Sequence, residues 1–381
     1  MFTKRYKLSV LILFSFILGG CGLFRNVNED PVPEDPTEQI DETPEETDEN
    51  GEMVDEPDES ESAEETVNQE LAAWMPRLDN VFYTYAGDGN EYASYTWYPQ
   101  FNQENYYQVA TSNSGTTLAE VFEYREDEIV RTFRMGEVYY RDNFTSIGTT
   151  GDGSAEETVL QLPIEVGTSW SGDESEYEIT AVNHEIEVPA GTFQTIEVTS
   201  TFENSVSRRY YAEDVGLVYV VTETEGVEIS SSLESMDTEV PEVIDFTVYV
   251  PDEQAMGMDT VDAQLMLNTN DPARVAITEL LSGNVEGYED VEILPEGTVI
   301  NYLFKNDSNI VEVDVSREFV ENMNAGTTGE IFFLNNLANT LLDYYGSNEA
   351  LLTVDGEPYE GGHIILQEGE TIEFNQEMVN E

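Results

Sequence analysis

The sequence predicts two folded parts of different class: an all-β antiparallel middle domain over residues 76–237, curled into a sandwich or partial barrel, and an α+β domain over 243–376. Three observations carry this reading. From residue 81 to 221, apolar and polar residues alternate with a period of two, in segments separated by Gly, Asn, Asp and Pro. Beyond Glu239-Val240-Pro241-Glu242, an acidic stretch that reads as a hinge, helix-spaced apolar residues alternate with short strands. Ahead of both parts, residues 26–75 hold no Lys or Arg while acids accumulate.

Taken in order, the chain begins with a basic n-region, Lys4, Arg5 and Lys7, and an apolar run over 8–18. That run is shorter than the roughly 20 residues a membrane-spanning helix needs, so it reads as the centre of a cleavable export signal. Leu18-Gly19-Gly20-Cys21 closes it: the small residues admit a protease, and the only cysteine supplies the thiol that lipid transfer needs. The pattern resembles the lipobox of bacterial lipoproteins. It implies a signal peptide over 1–20, lipid attachment at Cys21, and a place on the outer, extracytoplasmic face of a cell membrane of Gram-positive type. The alternative is a plain secretory signal with an incidental cysteine. One cysteine allows no internal disulfide, so stability outside the cell must come from packing.

Residues 21–75 form the acidic stretch. Its prolines 31, 33, 36, 44 and 57 break helices, and one-signed charge with little hydrophobicity cannot offset the entropy of ordering. The composition therefore predicts a disordered, self-repelling linker that spans on the order of 40 Å as a flexible coil. The acids lack the glycine and spacing of a calcium loop, and no metal site is expected there. Over the whole chain 14 basic residues face 80 acidic ones, a formal charge of −66. Nucleic acid is excluded as a partner on this balance. Anionic headgroups would repel the body, so contact with the lipid bilayer is expected through the acylated Cys21 alone. The same bias suits a saline or alkaline habitat, where salt screens self-repulsion.

In the middle region, strands are expected at 81–85, 91–98, 129–135, 177–182, 193–201 and 208–221, rich in β-branched and aromatic residues. Turn signals at 87–90, 112–115, 148–153 and 189–191 separate them. The phrases at 162–170, 188–193 and 210–218 resemble an uncharacterised β-domain of secreted and lipid-anchored bacterial proteins, and Trp170 is expected to cap one end of the core. Tyr92, Tyr95, Trp97, Tyr98, Tyr106 and Tyr107 crowd the first third. Cross-strand pairing within a core accounts for them. The competing reading is a flat aromatic platform for cell-wall glycan or another polysaccharide, with Tyr95 and Trp97 as the ligand-binding candidates. Arg131, Arg134, Arg141, Arg208 and Arg209 are expected to pair with nearby carboxylates as surface bridges of little energetic weight, or to meet an acidic partner.

In the last region, strands are expected at 245–250 and 263–267. A helix follows, opened by Asp271 as N-cap with Pro272 behind it and stopped by Gly283. A hairpin over 298–315 turns at Asn306-Asp307, and a short helix begins near Ser316. From 327 to 345, Ile331, Leu334, Leu337, Ala338, Leu341, Leu342 and Tyr345 form one apolar stripe, so a long helix should lie on the sheet before a final strand at 351–354. Five phrases then stand in order: Phe246-Thr247-Val248-Tyr249-Val250-Pro251-Asp252, Asp271-Pro272-Ala273-Arg274 running to Leu280-Leu281-Ser282-Gly283, Leu294-Pro295-Glu296-Gly297-Thr298, Val311-Glu312-Val313-Asp314-Val315-Ser316, and Leu337-Ala338-Asn339-Thr340-Leu341. Together they resemble the GerMN domain of the GerM family of sporulation and germination lipoproteins. The resemblance implies a compact α+β module, similar to ring-building domains of envelope machines, that acts by contact with an envelope protein. It implies no catalytic residue and no cofactor.

The residues themselves agree. His184 and His363 are the only histidines, in different regions, and neither has a cysteine or second histidine nearby. Neither a metal site nor a Cys/His pair is expected, and no P-loop, dinucleotide glycine pattern or nucleophile-elbow serine occurs. The chain is therefore read as a non-enzyme. A carboxylate-dependent hydrolase is the remaining alternative, since 80 acids hide any catalytic pair. Substitution Cys21→Ser should abolish fatty-acid labelling and release the protein into the medium; metabolic labelling with a radioactive fatty acid checks this, and continued labelling would refute the attachment site.

Overall fold

The computed structural model describes residues 69–145, 156–252, 254, 256–288 and 291–380. The signal expected over 1–20, the lipid attachment expected at Cys21 and most of the expected linker lie outside the described residues. Helix α1 (Gln69–Trp74) falls at the end of the stretch read as linker, and its Leu71 is buried among the aromatic residues that follow.

Period-two alternation then yields β1 (Val81–Asp88), β2 (Tyr95–Gln103), β3 (Tyr106–Asn113), β4 (Thr117–Tyr124), β5 (Glu128–Met135), β6 (Glu157–Gln161), β7 (Ser169–Ser171), β8 (Glu176–Val188), β9 (Gly191–Phe202), β10 (Ser205–Ala212), β11 (Gly216–Thr224) and β12 (Val227–Thr238). They form one antiparallel 12-stranded sheet in the order β6-β5-β4-β3-β2-β1-β12-β11-β10-β9-β8-β7. Two six-stranded meanders thus join through the β1–β12 pairing, and the sheet curls into a nearly closed barrel. Its free edges, β6 and β7, meet at a seam. There the Trp170 indole donates to the Thr158 carbonyl at 2.9 Å, and the Tyr177 hydroxyl donates to Glu157 at 2.8 Å. Trp170 stacks on Tyr177 with centroids 5.6 Å apart, so it ties the seam as well as filling the core.

The barrel departs from the sequence expectation at one expected strand that is split in two and at five strands, β3, β4, β6, β7 and β12, that were not expected. The single strand read at 208–221 is two, β10 and β11, because Asp214 takes φ 60° in the turn between them and donates its N–H to the Ala73 carbonyl of α1. Strands β3 and β4 were not expected at all. Both carry consecutive buried residues, because Tyr107, Val109 and Phe122 face the barrel interior while Ala119 and Val121 face the α+β region. Burial on two faces erases the alternation that would have marked them.

The second region opens with a ribbon, β13 (Glu242–Pro251) against β14 (Met258–Leu267), followed by α2 (Ala273–Leu281). Asp271 does not cap α2; Pro272 holds the N-cap position, and the Asp271 carboxylate accepts the Asn268 N–H at 2.8 Å instead. Then come β15 (Ile300–Lys305), β16 (Ile310–Val315), α3 (Glu318–Glu321), α4 (Thr327–Tyr345), β17 (Glu349–Val354), β18 (Glu357–Pro358) and β19 (Ile372–Glu373). Strands β16 and β17 are parallel, and α4 is the crossover between them. Its apolar stripe is buried except at Ile331, which is 37% exposed. Gly346, at φ 60°, ends the helix by letting its own N–H and that of Ser347 return to the Asp343 and Leu342 carbonyls. Among the described residues no helix is long and apolar enough to cross a membrane.

Barrel and α+β region share a core. Ala119, Val121, Phe133, Tyr140 and Phe144 pack with Phe246, Leu265, Leu267, Tyr344 and Tyr345. Arg141 crosses this junction fully buried and donates to Glu242 (3.1 Å) and to the carbonyls of Gln100 (2.6 Å), Asn268 (2.6 Å) and Leu267 (3.4 Å). The expected surface bridge is an internal one here, because Arg141, in the segment after β5, is covered by β2 and the β13–β14 ribbon. The stretch read as a hinge is likewise held: Tyr98 donates to the Val240 carbonyl at 3.0 Å, and Glu242 pairs with Arg141.

Asp142 lies beside Arg141, buried, and accepts the Tyr345 hydroxyl at 2.7 Å and the Lys305 N–H at 3.1 Å. Burial pushes its carboxyl up to about 7, against the opposing pull of those two hydrogen bonds and the Lys305 ammonium. A raised folded-state pKa means that the native protein holds this proton where the unfolded chain has released it. The contribution of Asp142 to stability is therefore largest below pH 4, falls as pH rises toward 7, and is flat above. Asp142→Asn removes the ionisation and lets the Tyr345 hydroxyl turn to accept from the new amide. The stability difference between variant and wild type should shift in favour of the variant between pH 4 and 7.5, as urea unfolding at each pH will read; a constant difference would contradict it.

Candidate functional site

Glu330 sits in the first turn of α4, with a carboxylate that is almost wholly buried and yet fully bonded. After β18 the chain doubles back over 359–366, the Leu366 N–H donating to the Tyr359 carbonyl and the Gly361 N–H to that of Ile364. This fold-back delivers three donors to Glu330: the Tyr359 hydroxyl at 3.0 Å, the Ile364 N–H at 3.1 Å and the His363 ring Nδ1–H at 2.9 Å. Gly361 is required by the same approach, since a Cβ there would overlap both the Glu330 carboxylate and the Tyr359 hydroxyl. Tyr359 is buried over Phe319 of α3, and burial together with Glu330 raises its pKa. The His363 side chain is 44% exposed, with Nδ1 committed to Glu330 and Nε2 left as the free ring nitrogen.

Beside this cluster, between α3, the start of α4 and the fold-back, lies an open cleft of about 790 Å³. Val320, Met323 and Ile365 supply apolar wall, and Glu321, Glu357 and Glu360 supply acid. Arg317, at the edge, is engaged by Asp355 at 3.3 Å. The Glu330–His363 pair ties the fold-back to the first turn of α4. Among the described residues no group of three or more His, Cys, Asp or Glu is arranged to hold a metal ion. His184 lies apart on β8, its ring 5.6 Å from that of Tyr210.

Tyr95 and Trp97 are both partly buried on the inner side of the barrel. Tyr95 stacks on Tyr85 at 4.3 Å, while Trp97 meets Tyr83 edge-on at 5.1 Å and Tyr107 at 5.7 Å. Their ring faces are engaged by neighbours and do not lie open as one flat surface. Arg131 also points to this side, bonded to Glu120 (3.1 Å) and Glu157 (2.5 Å), with Arg134 3.7 Å from Glu120 and Arg209 3.9 Å from Glu157. Burial alone would raise the Glu157 pKa, but the guanidiniums of Arg131 and Arg209 and the Tyr177 hydroxyl outweigh it and hold it below the ordinary value.

Sequence reasoning did not find the Glu330–Tyr359–His363 cluster. Its members are up to 33 positions apart, and one acid among 80 carries no mark. The available signal was Gly361-Gly362 beside a histidine, a pair of residues that admits close backbone approach.

Residues 247–360 match the family described as "Germane: Sporulation and spore germination". Residues 247–360 are thus a GerMN domain, the module whose phrases the sequence displays. No functionally curated protein matches the chain. Among solved structures, an exported protein with a YmcC-like fold from Bacteroides fragilis is similar at 12% identity over 43% of this chain and 98% of its own, with a TM-score of 0.28. A protein titled a lipoprotein from Clostridium perfringens is similar at 20% identity, over 34% of this chain and 87% of its own, with a TM-score of 0.23. Another so titled, from Parabacteroides distasonis, shows 11% identity over 42% and 97%, with a TM-score of 0.22. All three scores lie below the range of a shared overall fold.

Gly361→Ala should destabilise the protein by about 1–3 kcal/mol through that overlap. Gly362→Ala, where a Cβ meets only an ordinary contact at 3.8 Å, should change stability by less than about 0.5 kcal/mol. Chemical denaturation of the two variants checks the contrast.

Proposed function

We propose that this chain is a non-enzymatic, lipid-anchored protein of the outer face of the cell membrane, whose GerMN domain binds an envelope protein during sporulation or spore germination. The observation that carries the reading is the family match over residues 247–360. The lipobox ending at Cys21 and the acidic linker behind it supply the means of display. Two features argue for contact: His363, just beyond the matched residues, is tied to a buried carboxylate, and the matched family is not known as enzymatic.

The test is photocrosslinking in whole cells from a residue on the GerMN surface. Tyr302, 46% exposed on β15, is suitable. Protein crosslinks that appear in sporulating or germinating cells are expected. Their absence in vegetative, sporulating and germinating cells alike would remove the proposal.

A further inference from the structure

We infer that the cleft between α3, the start of α4 and the 359–366 fold-back docks a segment of the envelope partner that bears Lys or Arg side chains. This rests on the protein-binding reading of the GerMN domain and assigns a site and a chemistry to it.

The cleft has two kinds of wall. Val320, Met323 and Ile365 offer apolar surface, and Ile365 leaves 59% of its area to solvent beside them. Around them Glu321, Glu357 and Glu360 are exposed, and none of their carboxylates bonds to any described residue. The fourth acid, Glu330, is consumed internally by its three donors, and the one cation at the edge, Arg317, is paired with Asp355. An aliphatic stem that ends in a cationic head matches such a wall: the methylenes lie along Met323 and Ile365, and the head reaches the free carboxylates.

Charge also decides against the other occupants. The chain's own acidic stretch over 26–75 has no Lys or Arg to offer. A second copy would bring another molecule of formal charge −66 against an acidic rim. A basic segment gains from the same field, which would steer its approach.

The experiment uses the mature full-length chain and a labelled hexapeptide of alternating lysine and leucine, read by fluorescence anisotropy at about 0.15 M salt. The triple variant Glu321→Gln, Glu357→Gln, Glu360→Gln is compared with a control triple, Glu178→Gln, Glu187→Gln, Glu223→Gln, which removes equal charge from exposed barrel positions. Affinity should fall roughly tenfold in the cleft variant and less than about twofold in the control. Equal losses in both would mean attraction to diffuse charge and overturn the site. So would equal binding of a glutamate–leucine hexapeptide, or a dimer in sedimentation that only the cleft variant dissolves. In cells, a photocrosslinker at Ala325 in the cleft should capture the protein that Tyr302 captures. Capture at Tyr302 without capture at Ala325 would remove the cleft and leave the domain's role in partner binding standing.

Discussion

Arg141 holds a full charge entirely out of water, and the relation between the barrel and the GerMN domain follows from how that charge is satisfied. Desolvation of a guanidinium is tolerable only with near-complete pairing, and here the acceptors come from separate elements: Glu242 at the start of β13, the Gln100 carbonyl on β2, and the Leu267 and Asn268 carbonyls at the end of β14. The Phe101 ring adds a face 5.1 Å from the guanidinium carbon. No one element could supply this set. The ribbon must therefore stay against β2, since a buried charge stripped of its partner costs about 3–5 kcal/mol.

The apolar junction around Arg141 extends the same constraint. The outer faces of β4 and β5 are covered by the GerMN helices and sheet, and Tyr344 and Tyr345 of α4 enter the contact with their hydroxyls bonded to the Arg141 N–H and the Asp142 carboxylate. Lys305, the only lysine after Lys7, lies 4.2 Å over Tyr140 and donates to the Tyr345 carbonyl. A GerMN domain on a free tether would need none of these contacts. In this chain it is packed against the barrel, which leaves the cleft beside α3 on the side of α4 that carries Glu330.

The few cations of the chain are spent largely on internal partners. Arg131, Arg134 and Arg209 gather about Glu120 and Glu157 at the barrel seam, and Arg141 and Lys305 serve the junction. Acids such as Glu321, Glu357 and Glu360 are left without counter-charges on the surface. An excess of one sign thus becomes a surface property while the interior stays near balance, as the high energy of an unpaired buried charge requires.

Much could be read directly from residue order. The helix at 327–345, the strand at 310–315 and the GerMN phrases are local patterns of period and punctuation, and each needs only its own neighbours to form. Strands β3 and β4, the buried state of Arg141 and the Glu330–Tyr359–His363 cluster were not readable in that way. Each depends on what a remote segment places against it: a second covered face, a carboxylate and carbonyls gathered from three strands, or a loop returned across 33 positions to one acid among many. Sequence alone therefore determined the kinds of element and their order, because backbone propensity and periodicity act over a few residues. Only the tertiary structure decided which charges are inside, which aromatic rings are engaged and where a concave surface opens, because burial is a property of the assembled layers and not of any one of them.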